Sequence, residues 1–98
     1  MHREDFFEQV WDLVSQIPCG FVTTYGDIAK MLGHPQHSRL AGTALHYAPE
    51  GLPCHRVVSS SGRCAPYWPE QPQLLLREGI TFSPKGRVNL SRHRWQGL

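Results

Sequence analysis

The chain has 98 residues, of which 40% are hydrophobic and 18% are charged, proportions typical of one small globular domain. No apolar run approaches the roughly 18 to 20 residues that cross a bilayer. The acidic, amphipathic N-terminus also lacks the basic and then apolar order of a signal peptide. We therefore expect one domain over residues 1–98, without a membrane segment, in the cytoplasm.

The cysteines and the charges are unevenly distributed. The three cysteines, Cys19, Cys54 and Cys64, form no CxxC pair, which argues against a disulfide framework or a zinc ribbon. The net charge is +2, but residues 1–50 carry three basic and six acidic groups, whereas residues 51–98 carry seven basic and two acidic groups. The segment KGRVNLSRHRW is therefore either a binding surface for a polyanion or a solvated terminal face.

Three helices are predicted in the first half. Apolar residues at helical spacing predict a helix over residues 5–17, stopped by Pro18 and Gly20. The β-prone FVTTY precedes a second helix from near Thr24 to Gly33, with Thr24 and Asp27 as a capping-type pair. A third helix is predicted over about residues 36–47. Two helices joined by a short glycine-containing turn form a helix-turn-helix pattern, which is common and so only weakly specific.

The second half predicts shorter elements. The segment LPCHRVVSSSG ends in a β-prone run and a turn, and three prolines make RCAPYWPEQP an irregular loop. A last helix is predicted over about residues 73–78, and the segments ITF and RVNL are expected to pair as a small wing. The fold class that follows is a mostly helical α/β domain of winged helix-turn-helix type.

The most informative residues lie in the segment PCHRVV. A thiol becomes a nucleophile when it loses its proton, and the imidazole of His55 next to Cys54 is a suitable acceptor. Glu78, in LLLREG, is the best candidate for the acid that orients the imidazole. The alternative is a buried cysteine beside a surface histidine. The histidines His34, His37 and His46 are too irregularly spaced to predict a metal site.

These motifs together resemble a known family. PCHRVV is preceded by VTTYGDIAKMLG and by Arg39, and it is followed by SSSG and LLLREGI. In order and spacing these segments, from about residue 6 to residue 90, resemble the C-terminal domain of the 6-O-alkylguanine-DNA alkyltransferases and the related alkyltransferase-like proteins. The resemblance implies a monomer that acts on double-stranded DNA containing 6-O-alkylguanine, with no cofactor and no metal.

The resemblance also implies the chemistry of the site. Cys54 would accept the alkyl group from oxygen 6 of guanine, once per molecule. His55 would act as a base through a water molecule, and Glu78 would complete the hydrogen-bond relay. Tyr25 would donate its phenolic proton toward ring nitrogen 3 of the leaving guanine.

Further positions match residues of the family that contact DNA or the flipped base. Arg39 would fill the gap left by the extruded nucleotide, and the small residues Ala41, Gly42 and Thr43 would allow the third helix to enter the minor groove. In the expected substrate pocket, Leu45 would pack on the base and the carbonyl of Val57 would accept from the guanine amino group. Pro53 would hold the chain rigid before the nucleophile, and Tyr67 and Trp68 would come from the substrate loop.

Two segments depart from the family pattern. Ala48 stands where the family usually has an asparagine before a proline, and the substrate loop reads PYWPEQP, in which Trp68 either stacks on a base or obstructs the thiol. The favoured hypothesis is a single-turnover methyltransferase. The alternatives are a non-enzymatic sensor that flips the base and recruits repair proteins, and a winged-helix regulator with an incidental thiol.

Overall fold

The computed structural model describes residues 2–97, so the two terminal residues of the expected domain, Met1 and Leu98, lie outside it. Helix α1 (Arg3–Val14) buries an apolar face that includes Phe6, Val10 and Val14. It ends three residues before the expected boundary, because the N–H groups of Gln16 and Ile17 bond to carbonyls three residues back and tighten the chain into turns. None of the helices in this part of the chain combines the length and apolar character needed to span a bilayer.

Helices α2 (Tyr25–Met31) and α3 (Ser38–His46) pack against each other and lie where two helices were predicted. The predicted cap is confirmed, because the backbone N–H of Asp27 donates to Thr24 Oγ1 over 3.0 Å. The expected third helix over residues 36–47 is divided. Its start belongs to a 3-10 turn, Pro35–His37, in which the N–H of His37 bonds to the carbonyl of His34.

A short parallel sheet joins the two halves of the chain. Strand β1 (Thr23–Thr24) pairs with β2 (Val57–Val58), with Thr23 opposite Val57. Alternate residues of a strand point to opposite faces. Val57 accordingly packs in the core formed by α1, α2 and α3, and Val58 packs in a second cluster with Val22, Leu75, Ile80 and Val88.

Helix α4 (Gln71–Arg77) begins two residues earlier than expected, inside the proline-rich segment assigned to an irregular loop. Pro72 is compatible with this start because its missing N–H has no helical partner in the first turn. The expected wing is reduced to one antiparallel bridge between Phe82 and Val88.

The strand-like RVNL segment gives way to a short helix that was not predicted, α5 (Leu90–His93). Its buried His93 ring contacts Thr81 through Nε2, at 3.0 Å from the backbone nitrogen and 2.8 Å from Oγ1. This contact fixes α5 against the wing. The predicted class, a mostly helical α/β fold of winged-helix type, is confirmed.

Candidate functional site

Cys54 lies in a 3-10 turn, Cys54–Arg56, which we call the cysteine turn. The turn leads directly into β2, whose pairing with β1 fixes its position. Pro53 precedes the turn, and the backbone N–H of Cys54 bonds to the carbonyl of Leu52 over 2.8 Å. The cysteine is therefore held between a rigid proline and a paired strand, with its side chain partly exposed.

Behind the cysteine turn, Glu78 receives hydrogen bonds from several groups. His55 Nε2 lies 2.6 Å from Glu78 Oε2. The Arg56 guanidinium donates to the same carboxylate from Nε and Nη2, over 2.9 Å in each case, and donates from Nη1 to the carbonyl of Ile17. The N–H of Gly20 reaches Oε1 over 3.4 Å. The structure thus brings together His55 and Glu78, as predicted, and adds Arg56 as an ion-pair partner.

These contacts keep the Glu78 carboxyl ionised. Partial burial by itself would raise the pKa of the Glu78 carboxyl, but the hydrogen bonds from Arg56, His55 and Gly20 outweigh it and lower the pKa to about 2. A carboxylate is an acceptor only, so Nε2 of His55 is the donor in this contact, and Nδ1 is the ring nitrogen that remains for another partner. The imidazole is oriented to accept a proton on the side away from Glu78.

The two other candidate catalytic groups are neutral near pH 7. Burial raises the pKa of the Cys54 thiol above its ordinary value. Burial also raises the pKa of Tyr25, as do the nearby Tyr67, Cys54 and Cys64. Tyr25 therefore remains a phenol that can donate a proton, and Cys54 remains a thiol until a base removes its proton.

In front of Cys54 is a cavity of about 180 Å³. The cavity is lined by the candidate catalytic residues Tyr25 and Cys54 and by four of the five expected pocket residues, Leu45, Val57, Tyr67 and Trp68. Three residues that were not predicted for this role also line it: His46, Ala65 and Gln71. Pro53 is absent from this lining and instead precedes the cysteine turn. The Cys54 thiol thus lies at the wall of a cavity that several aromatic rings line.

The outer wall of the cavity is formed by the loop of residues 63–70. Tyr67 is 66% exposed and stacks on the ring of His46, at the end of α3, with centroids 5.1 Å apart. Trp68 is half-buried. The stacking of Tyr67 on His46 was not predicted, and the only sequence signal for His46 is its position directly after Leu45.

Gln71 is the second lining residue that sequence reasoning missed. It is 1% exposed, and its side-chain amide bonds to the backbone at three places. Glutamine is usually exposed, so its position at the start of a helix after a proline-rich loop gave no indication of burial.

The residues expected to contact DNA are only partly on the surface. Arg39 is exposed on α3 and borders a groove of about 330 Å³ that also includes Tyr25, Ser59 and Ser60. Gly42 faces the Tyr25 ring, which a Cβ at that position would approach to 3.7 Å. Ala41 is a correction: it is fully buried in the core, because its side chain is on the face of α3 that packs against α1 and α2.

Thr43 is half-buried, and its hydroxyl donates to the carbonyl of Arg39 over 3.2 Å. Ser59 and Ser60, which border the same groove as Arg39, belong to the SSSG motif. In the basic C-terminal segment, Arg94 is bound to Asp27 by two contacts of 2.7 Å, whereas Lys85 and Arg92 are exposed. Within residues 2–97, no group of three or more histidine, cysteine or acidic side chains is arranged to hold a metal ion.

Comparison with known proteins agrees with this arrangement. The family described as "6-O-methylguanine DNA methyltransferase, DNA binding domain" matches residues 5–80. The "DNA base-flipping protein" of Escherichia coli is 46% identical over 101 residues, which cover 97% of this chain and 78% of that protein.

Two solved structures are also similar. Schizosaccharomyces pombe Atl1 in complex with damaged DNA containing O6-carboxymethylguanine superposes with a TM-score of 0.86 and 31% identity, over 98% of this chain and 99% of that one. Mycobacterium tuberculosis OGT in complex with DNA gives a TM-score of 0.71 and 35% identity, over 76% of this chain and 49% of that one. The resemblance of the sequence motifs is therefore confirmed: the chain belongs to the family of the 6-O-methylguanine DNA methyltransferase DNA-binding domain.

Proposed function

We propose that the protein binds double-stranded DNA containing 6-O-alkylguanine, extrudes the damaged base and accepts its alkyl group on Cys54. The observation that carries this proposal is the Cys54 thiol at the wall of a cavity of about 180 Å³, between a phenol and an oriented imidazole–carboxylate pair. All of these groups come from one chain, so a monomer suffices.

The reaction is a single displacement. The sulfur of Cys54 forms a bond to the alkyl carbon while the bond from that carbon to oxygen 6 of guanine breaks. The thiol proton passes to Nδ1 of His55, directly or through water, and the imidazolium is stabilised by Glu78. Tyr25 supplies a proton to ring nitrogen 3, so guanine leaves neutral, and the phenolate recovers a proton from solvent.

DNA binding would use α2 and α3 as a helix-turn-helix in the minor groove. A base must leave the stack before it can reach the cavity, which costs a few kcal/mol. The exposed guanidinium of Arg39 can occupy the vacated space, where it would stack and hydrogen-bond. The groove between Arg39, Ser59 and Ser60 would then receive the sugar-phosphate backbone.

A second candidate is a sensor that extrudes the base and leaves the alkyl group in place, for recognition by other repair proteins. Two observations favour it. Burial raises the pKa of the Cys54 thiol and so keeps it protonated. In addition, a relative whose alignment covers 97% of the chain is named a base-flipping protein. Trp68, at the wall of the cavity, would stack on the extruded base in this reading.

Intact-protein mass spectrometry separates the two candidates. The protein is incubated with an oligonucleotide that carries one 6-O-methylguanine, and Cys54→Ala serves as the matched control. Transfer predicts one added methyl group on the wild type and none on the control, with binding of the lesion retained by both proteins.

The absence of a mass change, together with selective binding of the same oligonucleotide, would contradict alkyl transfer and support the sensor. If the wild type neither gained mass nor preferred the lesion over undamaged DNA, both candidates would be wrong for this chain.

A further inference from the structure

Gln71 is a buried polar side chain that the proposed chemistry does not use. It is 1% exposed at the start of α4, directly after the loop that forms the outer wall of the cavity. Burying an amide is unfavourable unless its donors and acceptor are satisfied, so its hydrogen bonds indicate what it holds in place.

The amide of Gln71 bonds to three separate backbone groups. Nε2 donates to the carbonyl of His55 over 3.0 Å and to the carbonyl of Val57 over 2.9 Å. Oε1 accepts from the N–H of Ala65 over 2.7 Å. One side chain thus connects the cysteine turn, the start of β2 and the loop on the opposite side of the cavity.

Helix α4 consequently contacts His55 from both ends. Gln71, its first residue, binds the His55 carbonyl, and Glu78, directly after its last residue, binds the imidazole. The helix therefore fixes both the backbone and the side chain of the residue next to the nucleophile.

Apart from Gln71, the loop is bonded at its start to the residue that follows β2: the N–H of Ser59 donates to the carbonyl of Arg63, and the N–H of Arg63 donates to Ser59 Oγ, over 3.0 Å in each case. The carbonyl of Ala65 accepts from the N–H of Trp68, and the carbonyl of Trp68 accepts from the N–H of Gln71, over 3.1 Å in each case. Within residues 2–97, none of these bonds reaches the cysteine turn itself. The Gln71 amide attaches the loop to that turn across the cavity.

We propose that Gln71 is a positioning residue that sets the spacing between the cysteine turn and the loop, and thereby limits the size of the group that reaches Cys54. The link to alkyl lesions rests on the proposed function. The spacing itself is a property of the folded chain, and thiol reagents of two sizes report on it without DNA.

The test compares the rates at which Cys54 reacts with methyl methanethiosulfonate and with the bulkier benzyl methanethiosulfonate, followed by mass spectrometry of the Cys54 peptide. Gln71→Met keeps the side-chain length but removes all three hydrogen bonds. Gln71→Asn keeps an amide that is too short to bridge the three groups. Gln73→Met, at an exposed position of the same helix, is the matched control.

In Gln71→Met the loop should move away from the cysteine turn, so the benzyl reagent should gain more than the methyl reagent. We expect the ratio of the methyl rate to the benzyl rate to fall about tenfold, which corresponds to the loss of one hydrogen bond between Gln71 and the loop. Gln71→Asn should change in the same direction, and Gln73→Met should match the wild type. Gln71→Asn decides the test if Gln71→Met does not fold. A ratio in a folded Gln71 variant that equals or exceeds the wild-type ratio would overturn the proposal.

A DNA arm then compares 6-O-methylguanine with 6-O-benzylguanine in the same oligonucleotide. If the wild type transfers the methyl group, the Gln71 variants should gain on the benzyl substrate relative to the methyl one. If the wild type transfers neither group and binds neither lesion, the proposed function fails, and the thiol ratio still decides the role of Gln71.

Discussion

The two sides of Cys54 are held in different ways. Behind it, the Glu78 carboxylate is fixed by charged and polar donors from the cysteine turn and from the chain before β1, with distances from 2.6 to 3.4 Å. In front of it, aromatic rings form a cavity whose outermost ring, Tyr67, is 66% exposed.

The contrast separates two requirements of a reactive thiol. Proton transfer depends on short distances and fixed orientation, which charge-assisted hydrogen bonds provide. Admission of a base with a variable substituent requires a wall that can adapt, which packed but partly exposed rings provide. Gln71 is the point at which the two sides are joined.

The largest expected effect is on the rear side. Glu78→Gln should reduce the alkyl-transfer rate by about 100-fold or more, because the imidazolium loses its counter-charge and the Arg56 guanidinium loses the charge of its ion-pair partner. The measurement is a single-turnover assay at saturating lesion DNA. Glu70→Gln, an exposed glutamate at the other end of α4, is the control and should retain the wild-type rate. An unchanged transfer rate in Glu78→Gln would show that the His55–Glu78 pair takes no part in the reaction.

Low pH should remove the stability that the ionised Glu78 carboxylate contributes. The pKa of Glu78 is about 2 in the folded protein, below its ordinary 4.5, so the ionised carboxylate stabilises the fold above about pH 4.5 and this contribution is lost as the pH falls toward 2. The free energy of unfolding in urea should decrease between about pH 4.5 and pH 2 in both the wild type and Glu78→Gln. We expect the decrease to be larger in the wild type by about 1–3 kcal/mol. Parallel pH profiles for the two proteins would contradict the assignment.

A smaller effect is expected on the front side. Tyr25→Phe removes the proton donor but leaves the ring that faces Gly42. Transfer should slow by about tenfold, the cost of one hydrogen bond to a developing charge, with lesion affinity nearly unchanged. Tyr67→Phe, in which an exposed hydroxyl of the same cavity is removed, is the comparison. Equal losses in both variants would show that the phenol of Tyr25 has no special role.

The smallest effect should come from the surface groove. Arg39→Ala should weaken binding of lesion DNA by about fivefold, at the low end of what one stacking contact contributes. Titration of a fluorescent oligonucleotide measures the change. Arg3→Ala removes the same charge from α1, where the guanidinium lies over the Phe7 ring, and should leave the affinity for lesion DNA unchanged. An equal loss of affinity in both variants would show that Arg39 contributes only through its charge.

Local patterns in the sequence were sufficient for most elements. Apolar spacing predicted α1, α2 and α3, and the Thr24 cap was identified from two residues. Boundaries were less accurate where non-local contacts decide them. The proline-rich loop becomes helical at Gln71, whose side chain bonds across the cavity, and α5 forms where His93 contacts Thr81.

Motifs of fixed residue type and order along the chain were enough to identify the family and the class of fold. They also predicted Cys54, His55 and Glu78 as a set, and that assignment stays a prediction. The sequence did not reveal that Ala41 is buried, that Arg56 shares the carboxylate of Glu78, or that Gln71 bonds to the backbone of both the cysteine turn and the loop. The physical reason is that a hydrogen bond between distant segments depends on where packing places both partners, which spacing along the chain does not specify.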